Sequence, residues 1–189
     1  MRTIIYITGP TSSGKSTASR RLSSETGIPV FHADHAYEII QKEYNVPVHP
    51  AKLTNHALWG NPRNFGIESW NGSVDMNDAK SHAYSILFKD RVIEDSMIEG
   101  FTVSFLDERR LIREIIGPHI SVLFRLNLDY EKWLKLFLKK FEEKKAPERL
   151  LYDRLRNCFQ AEEEDAVFEF RDPSEITKSS LNKVLARYQ

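Results

Sequence analysis

Gly9, Gly14, Lys15 and Ser16 stand at the spacing G-x-x-x-x-G-K-[ST] inside the run Gly9-Pro10-Thr11-Ser12-Ser13-Gly14-Lys15-Ser16-Thr17. That set of residue types can hold a polyphosphate. Gly9 and Gly14 permit backbone angles and close approaches that a Cβ would forbid. The loop can therefore turn successive N–H groups inward as an anion-binding nest, with the positive end of a following helix behind it. Lys15 supplies a mobile point charge for the outer phosphates, and the Ser16 hydroxyl is a hard oxygen suited to magnesium. A Gly- and Ser-rich turn without a ligand would share some of these letters. The flanks favour the phosphate loop, because the β-branched run Thr3-Ile4-Ile5-Tyr6-Ile7-Thr8 precedes it and a helical pattern follows.

Further along the chain, two acids and a group of arginines could complete a transfer site around that loop. Asp34 follows the short apolar run Ile28-Pro29-Val30-Phe31-His32, and open α/β sheets bind ligands at the carboxyl edge where such a residue would emerge. It is the candidate for orienting an acceptor and taking its proton; as a helix N-cap it would have a purely structural role. Glu99 ends Ser96-Met97-Ile98-Glu99-Gly100 and is placed to hold magnesium with Ser16, or to touch substrate; a structural pair with an arginine is the alternative. Arg149, Arg154 and Arg156 fall within eight residues, and guanidinium groups can hold charge on a moving phosphoryl group. An exposed helix with Glu148 and Asp153 as local partners would carry the same letters. Arg63 and Trp70 are acceptor-side candidates in the stretch 45–77, where prolines and glycines interleave with aromatics and amides. Arg171 and Pro173 lie in a turn expected near the base of a bound nucleotide.

The elements that must position these groups can be read from periodicity. A helix is expected over 16–26 with Gly27 as its stop, a second strand over 28–32, a helix within 77–94 and a strand over 96–100. A helix over 106–116, an apolar strand over 120–126 and a long amphipathic helix from Tyr130 to Lys144 follow, the last capped by Asp129. Its lysines read as a solvated face. A helix over 148–156, a last strand over 166–170 and a closing helix over 175–188 end the pattern. Strands alternating with helices predict an α/β fold, a three-layer, doubly wound, five-stranded parallel sheet with an insert at 45–77 and a helical lid at 145–160. With 189 residues the chain suits one domain, 1–189.

Lysine plus arginine equal aspartate plus glutamate at 27 each, so nothing in the net charge draws the whole chain toward a long nucleic acid or an anionic membrane. The single Cys158 excludes an intramolecular disulfide and agrees with a reducing compartment. No apolar run approaches membrane-spanning length and the amino terminus lacks the pattern of a signal peptide, so a cytoplasmic protein is expected.

Together, the loop after the first strand, the acid after the second and the arginine-bearing segment resemble the P-loop kinases of nucleosides, nucleotides and small metabolites. The resemblance implies ATP and magnesium at the strand ends and phosphoryl transfer to a hydroxyl or phosphate acceptor. It matches Asp34 to the acceptor-binding acid, Glu99-Gly100 to the acid–glycine pair ending the third strand, and Arg149, Arg154 and Arg156 to the lid. The acceptor would be a nucleoside, a nucleotide or a hydroxylated base, free or carried on DNA. The loop is also similar to that of the adenylate and tRNA isopentenyltransferases, in which the acid matched by Asp34 would draw a proton from an adenine amine while dimethylallyl diphosphate supplies the prenyl group. A nucleotide-binding switch without transfer chemistry is the third reading, and it would have no need of Asp34 or the arginines.

Overall fold

The computed structural model describes residues 1–44, 75–141, 149–157 and 163–188. Within them, β1 (Thr3–Thr8), β2 (Val30–His32), β3 (Ser96–Glu99), β4 (Ile120–Leu126) and β5 (Ala166–Phe170) form one parallel sheet in the order β2-β3-β1-β4-β5. The helices among the described residues are α1 (Lys15–Thr26), α2 (His35–Glu43), α3 (Met76–Phe88), α4 (Leu106–Ile116), α5 (Tyr130–Phe141), α6 (Arg149–Asn157) and α7 (Lys178–Tyr188). Short 3₁₀ turns occupy Thr102–Ser104 and Pro173–Glu175. Every residue of β1 and β3 is buried, as parallel strands covered on both faces require. The α/β class and the five-stranded parallel sheet are as expected.

The strand order sets the place of the site. From β1 the chain crosses to β2 on one side of the sheet, and from β3 it crosses to β4 on the other. The carboxyl ends of β1 and β3 are neighbours, with Ile7 opposite Glu99 and the Gly100 N–H donating to the Ile7 carbonyl at 3.2 Å. Diverging connections open a crevice at such a pair of strand ends. On the far side of β3, His32 is in register with Glu99, so three chain segments meet at one sheet edge.

Among the described residues, three boundaries differ from the expectation by more than one residue. The helix expected within 77–94 ends at Phe88, because Asp90 adopts a left-handed φ of 61° that an α-helix cannot contain; its start is capped by Asp75, which accepts from the Asn77 N–H at 2.7 Å. β2 is confined to residues 30–32. The closing helix begins at Lys178 rather than Glu175. Asp172 first closes a 3₁₀ turn by accepting from the Ser174 N–H at 2.9 Å, and Thr177 and Ser180 then exchange reciprocal side-chain bonds of 2.8 and 3.2 Å that start the helix afresh.

Below the crevice, the sheet core contains a buried polar pair that makes stability depend on pH. The Nδ1–H of His119 donates to the Gly117 carbonyl at 2.9 Å, which leaves Nε2 to accept from the Tyr6 hydroxyl at 3.2 Å. Burial pushes the His119 imidazole below its ordinary range, the nearby Arg113 and Arg2 act in the same direction, and the Gly117 bond and Asp165 oppose it. The neutral ring therefore belongs to the folded state. Its contribution is fully present above the unfolded histidine pKa of 6.5 and is lost as pH falls through the lower folded value. Urea unfolding at pH 7 and pH 5 is expected to show a smaller loss of stability on acidification in a His119→Gln variant than in the native chain; an equal loss would remove His119 as a cause.

Candidate active site

The phosphate loop leaves β1 at Thr8, whose hydroxyl bonds to that of Ser104, and passes into α1 at Gly14. Gly14 has a φ of 88°, a left-handed conformation that a side chain rarely adopts, and a Cβ there would meet Pro173 Cγ at 2.8 Å. Pro173 is held in that position by Arg21, whose Nη2 donates to the carbonyls of Pro173 at 2.9 Å and Ile176 at 2.7 Å. Lys15 is only 7% exposed, and its Nζ donates to the Gly9 and Pro10 carbonyls, both at 3.0 Å. Burial pushes its ammonium pKa below the ordinary lysine range, and the charges of Asp34 and Glu99 pull it back up. An ammonium folded onto its own loop carbonyls beside the first amides of a helix is a charge arranged for an anion.

Glu99, at the end of β3, is buried and accepts from the Ser16 hydroxyl at 2.9 Å and from His32 Nδ1. Burial pushes the Glu99 carboxyl up, but the His32 bond, the Lys15 charge and the Ser16 bond together outweigh it and hold the carboxyl below its usual value. The same bond raises the His32 imidazole against the effect of its own partial burial. The arginine partner considered for Glu99 is thus replaced by a histidine, because β2 brings His32 into register with it. Among the described residues no group of three or more His, Cys, Asp or Glu could cage a metal ion. A serine hydroxyl and a carboxylate side by side do fit magnesium in a phosphate site, where the ion takes one or two protein oxygens and draws the rest of its shell from phosphates and water.

Asp34 sits just before α2, yet its side chain makes no capping bond to that helix. Its carboxylate reaches across to the turn after β3 instead. Oδ2 accepts from the Phe101 N–H at 3.0 Å, and Oδ1 accepts from the Thr102 N–H at 3.0 Å and the Thr102 hydroxyl at 2.9 Å. The N-cap reading is therefore corrected, since donors from Phe101 and Thr102 outcompete the helix's own amides. Gly100 makes this possible, because a Cβ on it would meet Asp34 Oδ1 at 2.6 Å. A carboxylate has about four lone-pair positions, and the three bonds leave one position on Oδ2 for an acceptor hydroxyl.

Phosphate loop, Asp34 and Glu99 line one cleft of about 500 Å³, together with Arg20 of α1, Phe101, and Leu136, Lys139 and Lys140 of α5. This volume suits a small-molecule ligand. Among the described residues, Arg149 and Arg156 do not line it. Arg149 lies over the Tyr130 ring, 5.5 Å from its centroid, and Arg156 is exposed with its carbonyl accepting from Arg125 at 3.1 Å. Among the described residues the cations lining the cleft are Lys15, Arg20, Lys139 and Lys140, so two of the lysines read as a solvated face stand at the cleft. An amphipathic helix that buries Trp133 and Phe137 carries its last turn to the cleft mouth. Arg63 and Trp70, the stretch 45–74 and the side chain of Arg154 lie outside the described residues. Arg171 is engaged locally, its N–H donating to Glu175 at 3.0 Å, while Pro173 packs on Gly14.

Sequence reasoning missed His32, Thr102, Arg20, the two lysines and Trp133. Parity carried a signal for His32, which stands at the end of a strand next to one ending in Glu99. Nothing local marked Thr102 or Trp133, since each acts on a group far away in the chain, Thr102 on the Asp34 carboxylate and Trp133 on the Thr11 carbonyl.

No family model matches the chain, and no curated protein matches it. Solved structures do. A gluconokinase from Sinorhizobium meliloti 1021 is similar at 14% identity and a TM-score of 0.56, covering 100% of this chain and 95% of that one. The shikimate kinase from Acinetobacter baumannii in complex with shikimate gives 13% identity and 0.53, covering 99% and 95%. Kti12 from Chaetomium thermophilum in complex with ADP-AlF3 gives 16% identity and 0.55, covering 97% of each chain. These are proteins of the P-loop kinase fold, and this chain has that fold.

The dependence of Asp34 on Gly100 can be tested directly. Gly100→Ala is expected to displace the carboxylate and destabilise the fold by about 2 kcal/mol, the scale of losing charge-assisted bonds and stranding their donors. A urea midpoint equal to that of the native chain would show that the Gly100 contact does not hold Asp34.

Proposed function

We propose that this chain is an ATP-dependent phosphotransferase acting on a small hydroxyl or phosphate acceptor, a nucleoside, nucleotide or hydroxylated base. The observation that carries the reading is the convergence of Lys15, the Ser16–Glu99 pair and Asp34 in one cleft at the β1/β3 crevice. In this reading the loop amides and Lys15 hold the outer phosphates of ATP. Magnesium, held by Ser16 and Glu99 when bound, offsets charge on those phosphates. Arg20, Lys139 and Lys140 add charge compensation from the opposite rim, and the Arg171–Ser174 turn, seated beside Gly14, gives the adenine-side contact. The arginines of α6 belong to this proposal only if a closing movement brings them over the cleft.

Asp34 orients the acceptor through its remaining Oδ2 lone pair and accepts the hydroxyl proton. The acceptor oxygen bonds to the γ-phosphorus, the bond from that phosphorus to the β–γ bridging oxygen breaks, and ADP leaves. Position and charge compensation supply most of what this transfer needs. The P-loop kinase fold, in which Kti12 is seen with ADP-AlF3, is compatible with this assignment.

The experiment is incubation with γ-labelled ATP and magnesium against panels of nucleosides, nucleotides, hydroxylated bases and polyhydroxy acids. Label moving to an acceptor supports the reading; consumption of dimethylallyl diphosphate with an adenine nucleotide, and no label transfer, overturns it in favour of prenyl transfer. Lys15→Ala should reduce transfer by at least about a thousandfold. Asp34→Asn should lower kcat about a hundredfold or more while leaving the KM for ATP within a fewfold; normal turnover in that variant would remove Asp34 as the base.

A further inference from the structure

Ser12 has an unusual backbone within the loop. It is not glycine, yet its φ is 67°, a left-handed conformation that side chains disfavour and that persists only when its surroundings impose it. Its hydroxyl is buried without a hydrogen-bond partner, and among the described residues its N–H has no acceptor. The peptide unit before it is held from outside the loop. Trp133, fully buried on α5, donates its indole N–H to the Thr11 carbonyl at 2.7 Å across 122 residues of sequence. The indole itself is fixed by rings on three sides, with centroids 5.0 Å from Phe137, 5.3 Å from Tyr152 and 6.1 Å from Tyr130. Tyr152 is tied down in turn, its hydroxyl donating to the Leu128 carbonyl.

A trans peptide is planar, so its C=O and the following N–H point in opposite directions. Drawing the Thr11 oxygen onto a buried indole therefore turns the Ser12 N–H away from α5's core. We propose that Trp133 is a positioning residue that sets the Thr11–Ser12 peptide, so that the Ser12 N–H joins the anion nest and the loop is preorganised for a polyphosphate before any ligand arrives. The inference rests on the phosphate-binding reading of the cleft and adds to it the source of the loop's strained conformation. It also explains how a serine stands at a position where glycine would be the undemanding choice, because an external bond offsets the strain.

Isothermal titration with ADP and with inorganic tripolyphosphate tests this on the full chain. Trp133→Phe keeps the ring packing and removes the N–H, and it is expected to weaken both ligands about tenfold. Ser12→Gly, which removes the left-handed cost and keeps the N–H, should restore most of the loss when combined with Trp133→Phe. A merely structural tryptophan would not be rescued by a change of backbone preference at residue 12. In amide spectra, the Ser12 N–H should shift strongly downfield on ADP binding in the native chain and much less in Trp133→Phe. Native-like affinity in Trp133→Phe, or a loss that Ser12→Gly leaves untouched, overturns the proposal while the phosphate site stands. A native chain that binds neither ADP nor tripolyphosphate overturns both. Should Trp133→Phe not fold, the indole N–H of Trp133 in the native chain decides: slow exchange with solvent without nucleotide supports the bond, and rapid exchange overturns it.

Discussion

An ammonium buried at the carboxyl edge of the sheet is the constraint around which the cleft is organised. Removing Lys15 from water is costly unless oxygens and negative charge surround it. Gly9 and Pro10 supply carbonyls, and Asp34 and Glu99 supply charge that opposes the downward pull of burial on its pKa. Each of those acids is then secured by other elements. Glu99 is held between Ser16 and His32, and Asp34 by the turn that follows Gly100. Without the two carboxylates the ammonium would be a buried charge with dipoles alone for company.

The same arrangement shows how a parallel sheet brings chemistry together. Glu99 closes β3, His32 closes β2, and the loop closes β1, so three strand ends at neighbouring registers converge in space though they lie far apart in the chain. The helices contribute from both sides of the loop. Pro173, fastened by Arg21, presses on Gly14 at one end of the loop, and Trp133 takes the Thr11 carbonyl nearer its crown. The loop is thus shaped by packing from α5 and the Pro173–Glu175 turn as much as by its own glycines.

Much of the architecture was legible from local pattern alone. β4, α4 and β5 have the bounds that periodicity predicts, because a continuous apolar run, a Gly-Pro stop and a short alternating strand are decided by neighbouring residues. Boundaries shifted where local bonding or backbone conformation overrode periodicity: the Thr177–Ser180 exchange restarted the last helix, and the left-handed backbone of Asp90 ended α3 early. The acids of the site were legible as residues at strand ends, whereas their partners were not. Glu99, read as a magnesium or substrate residue with an arginine pair as the alternative, is bonded to Ser16 and His32; Asp34, read as the acceptor-facing acid with an N-cap as the alternative, is held by Phe101 and Thr102.

By itself the amino-acid order determined a phosphate loop, its strand and helix, a five-stranded α/β pattern and two carboxylates at the right edge, because glycine conformations, apolar periodicity and strand-end positions are properties of short stretches. Only the tertiary structure decided which cations line the cleft. Arg149, which looked suited to a lid, rests on the Tyr130 ring and Arg156 is exposed, whereas Lys139 and Lys140, which looked like a solvated face, line the cleft beyond the buried Trp133 and Phe137 of the same helix. A charged side chain declares its sign in the sequence, but its distance from a phosphate is fixed by contacts more than a hundred residues away.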